Sequence, residues 1–350
     1  MKSVIMIGPS PAARGGMASV VQTYLAHGYE EGGRCRFIAT HVDGGALRKA
    51  ARAGAALLQF LGLLVLGRVA LLHVHLASGV SFWRKAAFIA AARLFRRPVL
   101  LHLHGGEFID FVEVRLSGRR QRLALALLGG AAAAFALTEV SAAWLRTRAG
   151  LGQVEVFPNP IASSAPLARR PGRSVLFLGR LEEKKGVFDL IRAFAAVHAR
   201  APDARLVLAG DGDADGARAL AAELGVAHCL HLPGWVDAGA RAVLMAEAAL
   251  FVLPSHKEQM PMSILEAMMA SVPVVATDVG AVPQMLDQGK CGFLVQVGNI
   301  PQLAASILRI LDDNILADTI SERGLVRVKS EYMVETVLRR LRHRYEELAA

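Results

Sequence analysis

Leu250-Phe-Val-Leu-Pro-Ser-His-Lys-Glu-Gln-Met-Pro-Met-Ser-Ile-Leu-Glu-Ala-Met268 joins a continuously apolar run to a helical pattern through a polar loop. Leu250–Leu253 has the unbroken apolar character of a strand covered on both faces of a parallel sheet. Pro261 favours the first turn of a helix, which puts Glu258 in the loop and Glu266 inside the helix. The two carboxylates are eight positions apart, just over two helical turns. They can therefore reach one cavity from different depths. An ionised carboxylate accepts two hydrogen bonds from neighbouring hydroxyls, so the pair suits a polyhydroxylated ligand.

The same strand-then-helix unit repeats along the chain. Candidate strands are Ser3–Ile7, Arg36–Thr40, Ala70–His75, Pro98–Leu103, Ala133–Leu137, Val154–Phe157, Ser174–Leu178, Arg205–Ala209, Leu230–Leu232, Leu250–Leu253, Val274–Thr277 and Gly292–Val295. Helical patterns between them make this an α/β chain of βαβ units. Residues 158–172 carry four prolines, which marks a domain boundary. The predicted organisation is a doubly wound domain over 1–160, a linker over 161–172, a second such domain over 173–330, and an amphipathic Arg-rich helix over 331–350. Ligands of doubly wound sheets sit at the carboxyl ends of strands, so a cleft between the domains is the expected site.

The 350 residues, 53% hydrophobic and 20% charged, exclude a disordered chain and suffice for two cores. Cys35, Cys229 and Cys291 are far apart and odd in number, against a disulfide framework or a zinc motif and in favour of a reducing compartment. Met1–Gly8 has one basic residue and a short apolar run, unlike a signal peptide. The apolar stretch 53–72 is broken by Gly54, Gly62, Gly67 and Arg68. No uninterrupted part of it reaches the roughly 20 residues that span a bilayer, and it reads as a core helix to Leu66 followed by a strand. With Arg48, Lys49 and Arg52 just upstream, the alternative is an interfacial membrane helix. Residues 1–172 hold 21 Lys and Arg against 8 Asp and Glu, a net +13, whereas 173–350 hold 19 against 22, a net −3. The basic first half points to an anionic partner. Composition bias in an Ala- and Arg-rich chain gives the same count.

Four segments carry candidate chemistry. Gly15 and Gly16 follow the first strand and open a helix, where backbone can approach a ligand and a helix N-terminus faces an anion; an ordinary βα turn has the same pattern. Arg180 and Lys185, in Leu178-Gly-Arg-Leu-Glu-Glu-Lys-Lys-Gly186, could clamp a diphosphate; alternating signs at Glu182, Glu183 and Lys184 equally describe a solvated charge run. His102 and His104 share one strand face, with a second pair at His73 and His75. No acidic residue has metal-ligand spacing with them, so His104 before Gly105-Gly106 is the preferred active-site histidine. Gly210-Asp-Gly-Asp213 is read as a tight polar turn rather than a metal site. Gly-x-Ser-x-Gly, HExxH and kinase motifs are missing from the sequence.

Taken together, Gly15-Gly16, His104-Gly105, Asn159-Pro160, Leu178-Gly-Arg-Leu with Lys185-Gly186, Gly210-Asp-Gly212, Leu232-Pro-Gly-Trp235, Glu258 with Glu266, and Pro273-Val-Val-Ala-Thr-Asp-Val-Gly280 resemble the retaining glycosyltransferases of family 4, the "group 1" glycosyltransferases. The resemblance covers nearly the whole chain. It implies a GT-B fold, two Rossmann-like doubly wound domains facing across a cleft, with the acceptor on the first and a nucleotide-sugar donor on the second. By resemblance, Arg180 and Lys185 neutralise the donor diphosphate, Glu266 binds the ribose and Glu258 holds the transferred sugar. Backbone amides near Ser263 and Ile264 support the phosphate, His104 sits beside the sugar, and Gly15 and Gly16 lie against acceptor and phosphate. No metal or other cofactor is expected.

The expected enzyme is cytoplasmic, and its basic first half suggests peripheral attachment to an anionic membrane and a lipid-linked saccharide acceptor, hence a role in cell-surface polysaccharide assembly, with no nucleic-acid partner. One position departs from the family. Gln259 stands where glycine usually follows the first glutamate, so either the loop avoids positive φ or Gln259 contacts the sugar. Asn159-Pro160 replaces a common Asn-Gly. The rival readings are a nucleotide-sugar epimerase of the same fold and a nonenzymatic binder of anionic polymers.

Overall fold

The computed structural model describes residues 2–13, 15–163, 167–169 and 172–349. Of the predicted linker, 164–166, 170 and 171 therefore lie outside the described residues, as does Arg14 of the first glycine loop. The chain divides into two compact units, residues 1–162 with 333–350, and residues 163–332.

The first unit holds strands β1 (Ser3–Pro9), β2 (Cys35–His41), β3 (Val69–Leu76), β4 (Val99–Leu103), β5 (Ala133–Ala136) and β6 (Val154–Val156). They form one parallel sheet in the order β2-β1-β3-β4-β5-β6. Helices α1 (Gly16–Ala26), α2 (Ala46–Val65), α3 (Val80–Leu94), α4 (Phe108–Asp110), α5 (Gly118–Gly129) and α6 (Glu139–Thr147) connect them. Side chains alternate across β3, as strand pleating requires. Leu72, Val74 and Leu76 enter a core with Phe60, Phe82, Phe88 and Phe108, where burial contributes roughly 1.5–3 kcal/mol for each large apolar side chain.

The second unit holds β7 (Ser174–Leu178), β8 (Arg205–Ala209), β9 (Leu230–Gly234), β10 (Ala248–Leu253), β11 (Val274–Thr277) and β12 (Phe293–Val295). Its parallel sheet runs β12-β11-β10-β7-β8-β9. Helices α7 (Val187–Arg200), α8 (Ala214–Glu223), α9 (Ala238–Glu247), α10 (Met262–Met269), α11 (Val282–Met285), α12 (Ile300–Asp312) and α13 (Asn314–Glu331) surround it. Asp213, Asp237, Asn299 and Asp313 cap α8, α9, α12 and α13 by accepting a backbone N–H, each cap contributing about 1 kcal/mol. The last helix, α14 (Val334–Ala349), belongs to the first unit. It starts where Val334 N–H donates to Ile161 O at 2.9 Å, and Tyr345 lies against β3 residue His73.

Both sheets reverse their winding at one point, between β1 and β3 in the first and between β7 and β10 in the second. Crevices at the carboxyl ends of strands beside such points are where doubly wound sheets hold ligands. Among the described residues, no helix is long and apolar enough to cross a membrane.

Candidate functional site

In the second unit the carboxyl ends of β7 and β10 carry the closest pairing of predicted site residues. A short 3₁₀ turn, Glu183–Lys185, ends at Gly186 with φ 68°. A Cβ there would lie 1.9 Å from Pro254 O, so only glycine lets the turn close on the loop after β10. His256 N–H donates to Lys184 O at 2.9 Å, and the His256 ring lies 2.7 Å from Asp189 Oδ2 in the first turn of α7. These contacts fix Lys185 against Glu258. Lys185 Nζ donates to Glu258 Oε1 at 2.6 Å, and Ser255 Oγ donates to the same oxygen at 2.9 Å. Ser255 is fully buried and its carbonyl accepts from Thr277 Oγ1.

Glu258 lies in the loop and Glu266 in α10, as the sequence predicts. Pro261, predicted in the first helical turn, is instead the N-cap, with φ −70° and ψ 121°. Gln259 does not adopt positive φ. The positive φ falls on Gly280, at 59°, where a Cβ would sit 2.4 Å from Glu258 O and 2.7 Å from Gln259 O. Ala281 N–H donates to Gln259 O at 2.7 Å, so the loop rests directly on the segment after β11.

Arg180 is not gathered with Lys185: it is 73% exposed and faces Glu182 at 3.8 Å, while Lys184 faces Glu182 at 3.6 Å. Arg180 thus lies in a solvated charge run, whereas Lys185 is partly buried against Glu258. Of the α10 amides, Ile264 N–H already donates to Pro261 O at 3.2 Å, which leaves Ser263 nearer the helix mouth. Glu266 has a partner that sequence reasoning missed, Arg241 of α9 at 3.3 Å. Burial raises the Glu266 carboxyl pKa, and the Arg241 charge partly offsets this. In Asp-Gly-Asp, Asp213 is the α8 cap, consistent with a turn.

Gly15, Gly16 and His104 lie in the first unit. Gly15 precedes α1 after β1, and His104 follows β4, its N–H donating to Leu76 O at 3.0 Å. His104 is not isolated. Its Nε2 lies 2.7 Å from His75 Nδ1, and the rings of His73, His75, His102 and His104 pile against one another with centroids 4.1–5.4 Å apart. His73 Nδ1 and Tyr345 Oη of α14 are 2.6 Å apart. Burial drives all four histidines below the ordinary range, His102 to about 3, so they are held neutral. Lys85 of α3, fully buried with Nζ 3.1 Å from Ser81 Oγ, is pulled down to about 7 by burial and by Arg84. Nothing in its sequence context announces it.

A cavity of about 520 Å³ in the second unit is lined by Arg169, Arg173, Pro273, Ile310, Asn314 and Asp318, among others. It lies toward the amino ends of β7, β10 and β11 and is lined by none of the predicted site residues.

Residues 164–327 match the family described as glycosyl transferases group 1. A phosphatidyl-myo-inositol mannosyltransferase of Mycolicibacterium smegmatis is 35% identical over 190 residues, 52% of this chain and 48% of that protein. A glycogen synthase of Mycobacterium tuberculosis is 30% identical over 194 residues, 54% and 47% of the two chains. The matches thus span about half the length of these relatives. Two solved structures share the fold over 99% of this chain. The sucrose-phosphate synthase of Thermosynechococcus elongatus has TM-score 0.77 at 20% identity and is covered over 99% of its length. Anabaena HepE in complex with UDP-glucose has TM-score 0.77 at 19% identity and is covered over 100%. The two parallel six-stranded sheets with their flanking helices have the GT-B architecture of these solved structures, and the match to the group 1 glycosyltransferases lies within the second unit.

Proposed function

We propose that this chain moves a sugar, with retention of configuration, from a nucleotide-sugar donor to a saccharide acceptor. The observation that carries the proposal is the Lys185–Glu258 contact at the β7/β10 switch point. The diphosphate leaving group needs positive charge as it departs. Lys185 supplies it from a partly buried position, Arg180 from a mobile-length side chain in solvent, and the α10 N-terminus near Ser263 adds its dipole. This charge set is proposed to serve the transfer without a metal. Both bonds recorded for Glu258 use Oε1, which assigns Oε2 to hydroxyls of the transferred sugar. Glu266 is assigned to the ribose, with Arg241 orienting it. Neither carboxylate is the nucleophile: the acceptor hydroxyl attacks on the face the leaving phosphate vacates, and that phosphate takes the proton. Gly15, Gly16 and His104 are assigned to the acceptor-binding half of the reaction.

The proposed acceptor is a lipid-linked saccharide at an anionic membrane face, in cell-surface polysaccharide biosynthesis. The net +13 of residues 1–172 supports this. So do Leu58, Val65 and Leu66, exposed on or just after α2 in a segment that also exposes Arg48, Arg52 and Arg68. The test supplies UDP-, GDP- and ADP-sugars with lipid-diphosphate saccharides in anionic vesicles. Donor-dependent transfer is expected, with vesicle co-sedimentation that weakens as salt rises. Failure of transfer to every acceptor together with no sedimentation at low salt would refute the proposal, and acceptor-independent conversion of the donor would identify an epimerase.

A further inference from the structure

Two groups of three metal-capable side chains occur among the described residues, His73 with His75 and His102, and His198 with His228 and Cys229. Their geometries differ in a way that decides between them. The first group is part of the stacked histidines, with ring planes only 12–28° apart and centroids 4.7–5.4 Å apart. An imidazole binds an ion in its own plane along the nitrogen lone pair. Rings layered in near-parallel planes cannot aim three lone pairs at one point about 2.0–2.1 Å away.

The second group is not layered in this way. His198 lies in the last turn of α7, and His228 and Cys229 lie in the 3₁₀ turn Ala227–Cys229 that leads into β9. The two rings are inclined by 70°, with Nε2 atoms 3.2 Å apart. Two imidazoles sharing a tetrahedral zinc at 2.0–2.1 Å place their nitrogens about 3.3 Å apart. Cys229 Sγ lies within 4.8 Å of both nitrogens, so closing the site takes a shift on the order of 1 Å to reach the zinc–sulfur distance of about 2.3 Å. Two imidazoles and a thiolate form a borderline-soft set that suits Zn²⁺ over Mg²⁺ or Ca²⁺ and leaves the fourth position for water.

We propose that His198, His228 and Cys229 form a site for a divalent transition ion of the zinc class. The Cys229 thiol donates to Val226 O at 3.1 Å, and an arriving ion displaces that proton. The site lies at the amino end of β9, whereas the proposed donor residues follow the carboxyl ends of β7 and β10. It is therefore a clip from α7 to the turn before an edge strand, separate from sugar transfer. The ligands come from positions 198 and 228–229 and meet only through folding, so no sequence spacing announces them.

The test is a Co²⁺ titration of metal-free protein. One ion per chain is expected, with visible absorption of tetrahedral intensity and a thiolate-to-cobalt charge-transfer band. Cys229→Ser should remove the charge-transfer band, and His228→Ala should remove the tetrahedral spectrum. Stoichiometric Zn²⁺ should slow alkylation of Cys229 several-fold in peptide-resolved labelling, with the buried Cys35 and Cys291 as internal references. His228 is exposed, so its replacement leaves the fold intact. A charge-transfer band that survives Cys229→Ser, cobalt absorption with no such band, or Cys229 alkylation indifferent to Zn²⁺ would each overturn the proposal.

Discussion

Lys185→Ala is expected to lower kcat/KM for sugar transfer by about 10²–10³-fold, the range found when a preorganised electrostatic group is taken from a transition state. Lys185 is three-quarters buried and its ammonium already lies 2.6 Å from Glu258. It needs little reorganisation to meet a diphosphate at the same strand ends. The variant also strands the Glu258 carboxylate, which is 10% exposed, and an unpaired buried charge destabilises. Glu258→Gln in the Lys185→Ala background separates the two effects, because it restores charge balance without restoring the cation. Stability should recover while transfer stays low. Arg180→Ala, at an exposed position, should cost less than Lys185→Ala. Steady-state kinetics beside thermal unfolding checks this, and full activity in Lys185→Ala would remove the lysine from the transfer step.

Acid should unfold the first unit well before the second. The folded pKa values of His73, His75, His102 and His104 are depressed by burial, His102 to about 3, below an unfolded value near 6.5. Between these values the unfolded chain binds more protons, so stability is present above about pH 6.5 and is lost as pH falls toward 3. The loss is on the order of a few kcal/mol from His102 alone, and the stacked neighbours add to it. Lys85 acts at higher pH in the same direction. With a folded pKa of about 7 against roughly 10.4 unfolded, it makes stability rise further between pH 7 and 10. His102→Phe keeps an aromatic ring beside Phe135 and Phe157 and removes one titrating group. Its denaturant midpoint should fall less steeply with acid than that of the natural chain. Parallel slopes for the two proteins would show that His102 is not held neutral.

Much of the fold was legible because parallel strands buried on both faces leave unbroken apolar runs. Val274–Thr277 and Leu250–Leu253 were read nearly to the residue for this reason. The helix start after Pro261 was legible from proline chemistry alone, with a shift of one position. The site was legible only in part. Lys185 and Arg180 look alike in sequence, and burial separates them: one turns toward Glu258 and the other into solvent. Arg241 was invisible, since it reaches Glu266 across two helices. The His75–His104 contact depends on β3 lying beside β4, which periodicity does not state. Gln259 was readable as a departure from the family, but only the backbone shows that Gly280 carries the positive φ beneath that loop.

The most direct test of the central claim, that a nucleoside diphosphate binds at the β7/β10 switch point, is calorimetric titration of UDP, GDP and ADP into the natural chain and Glu266→Ala. One nucleotide should bind the natural chain with 1:1 stoichiometry, and Glu266→Ala should weaken it by at least about tenfold, the 1.4 kcal/mol that a charge-assisted hydrogen bond commonly contributes. Equal affinity in the two proteins, or no binding of any nucleotide to the natural chain, would contradict the account.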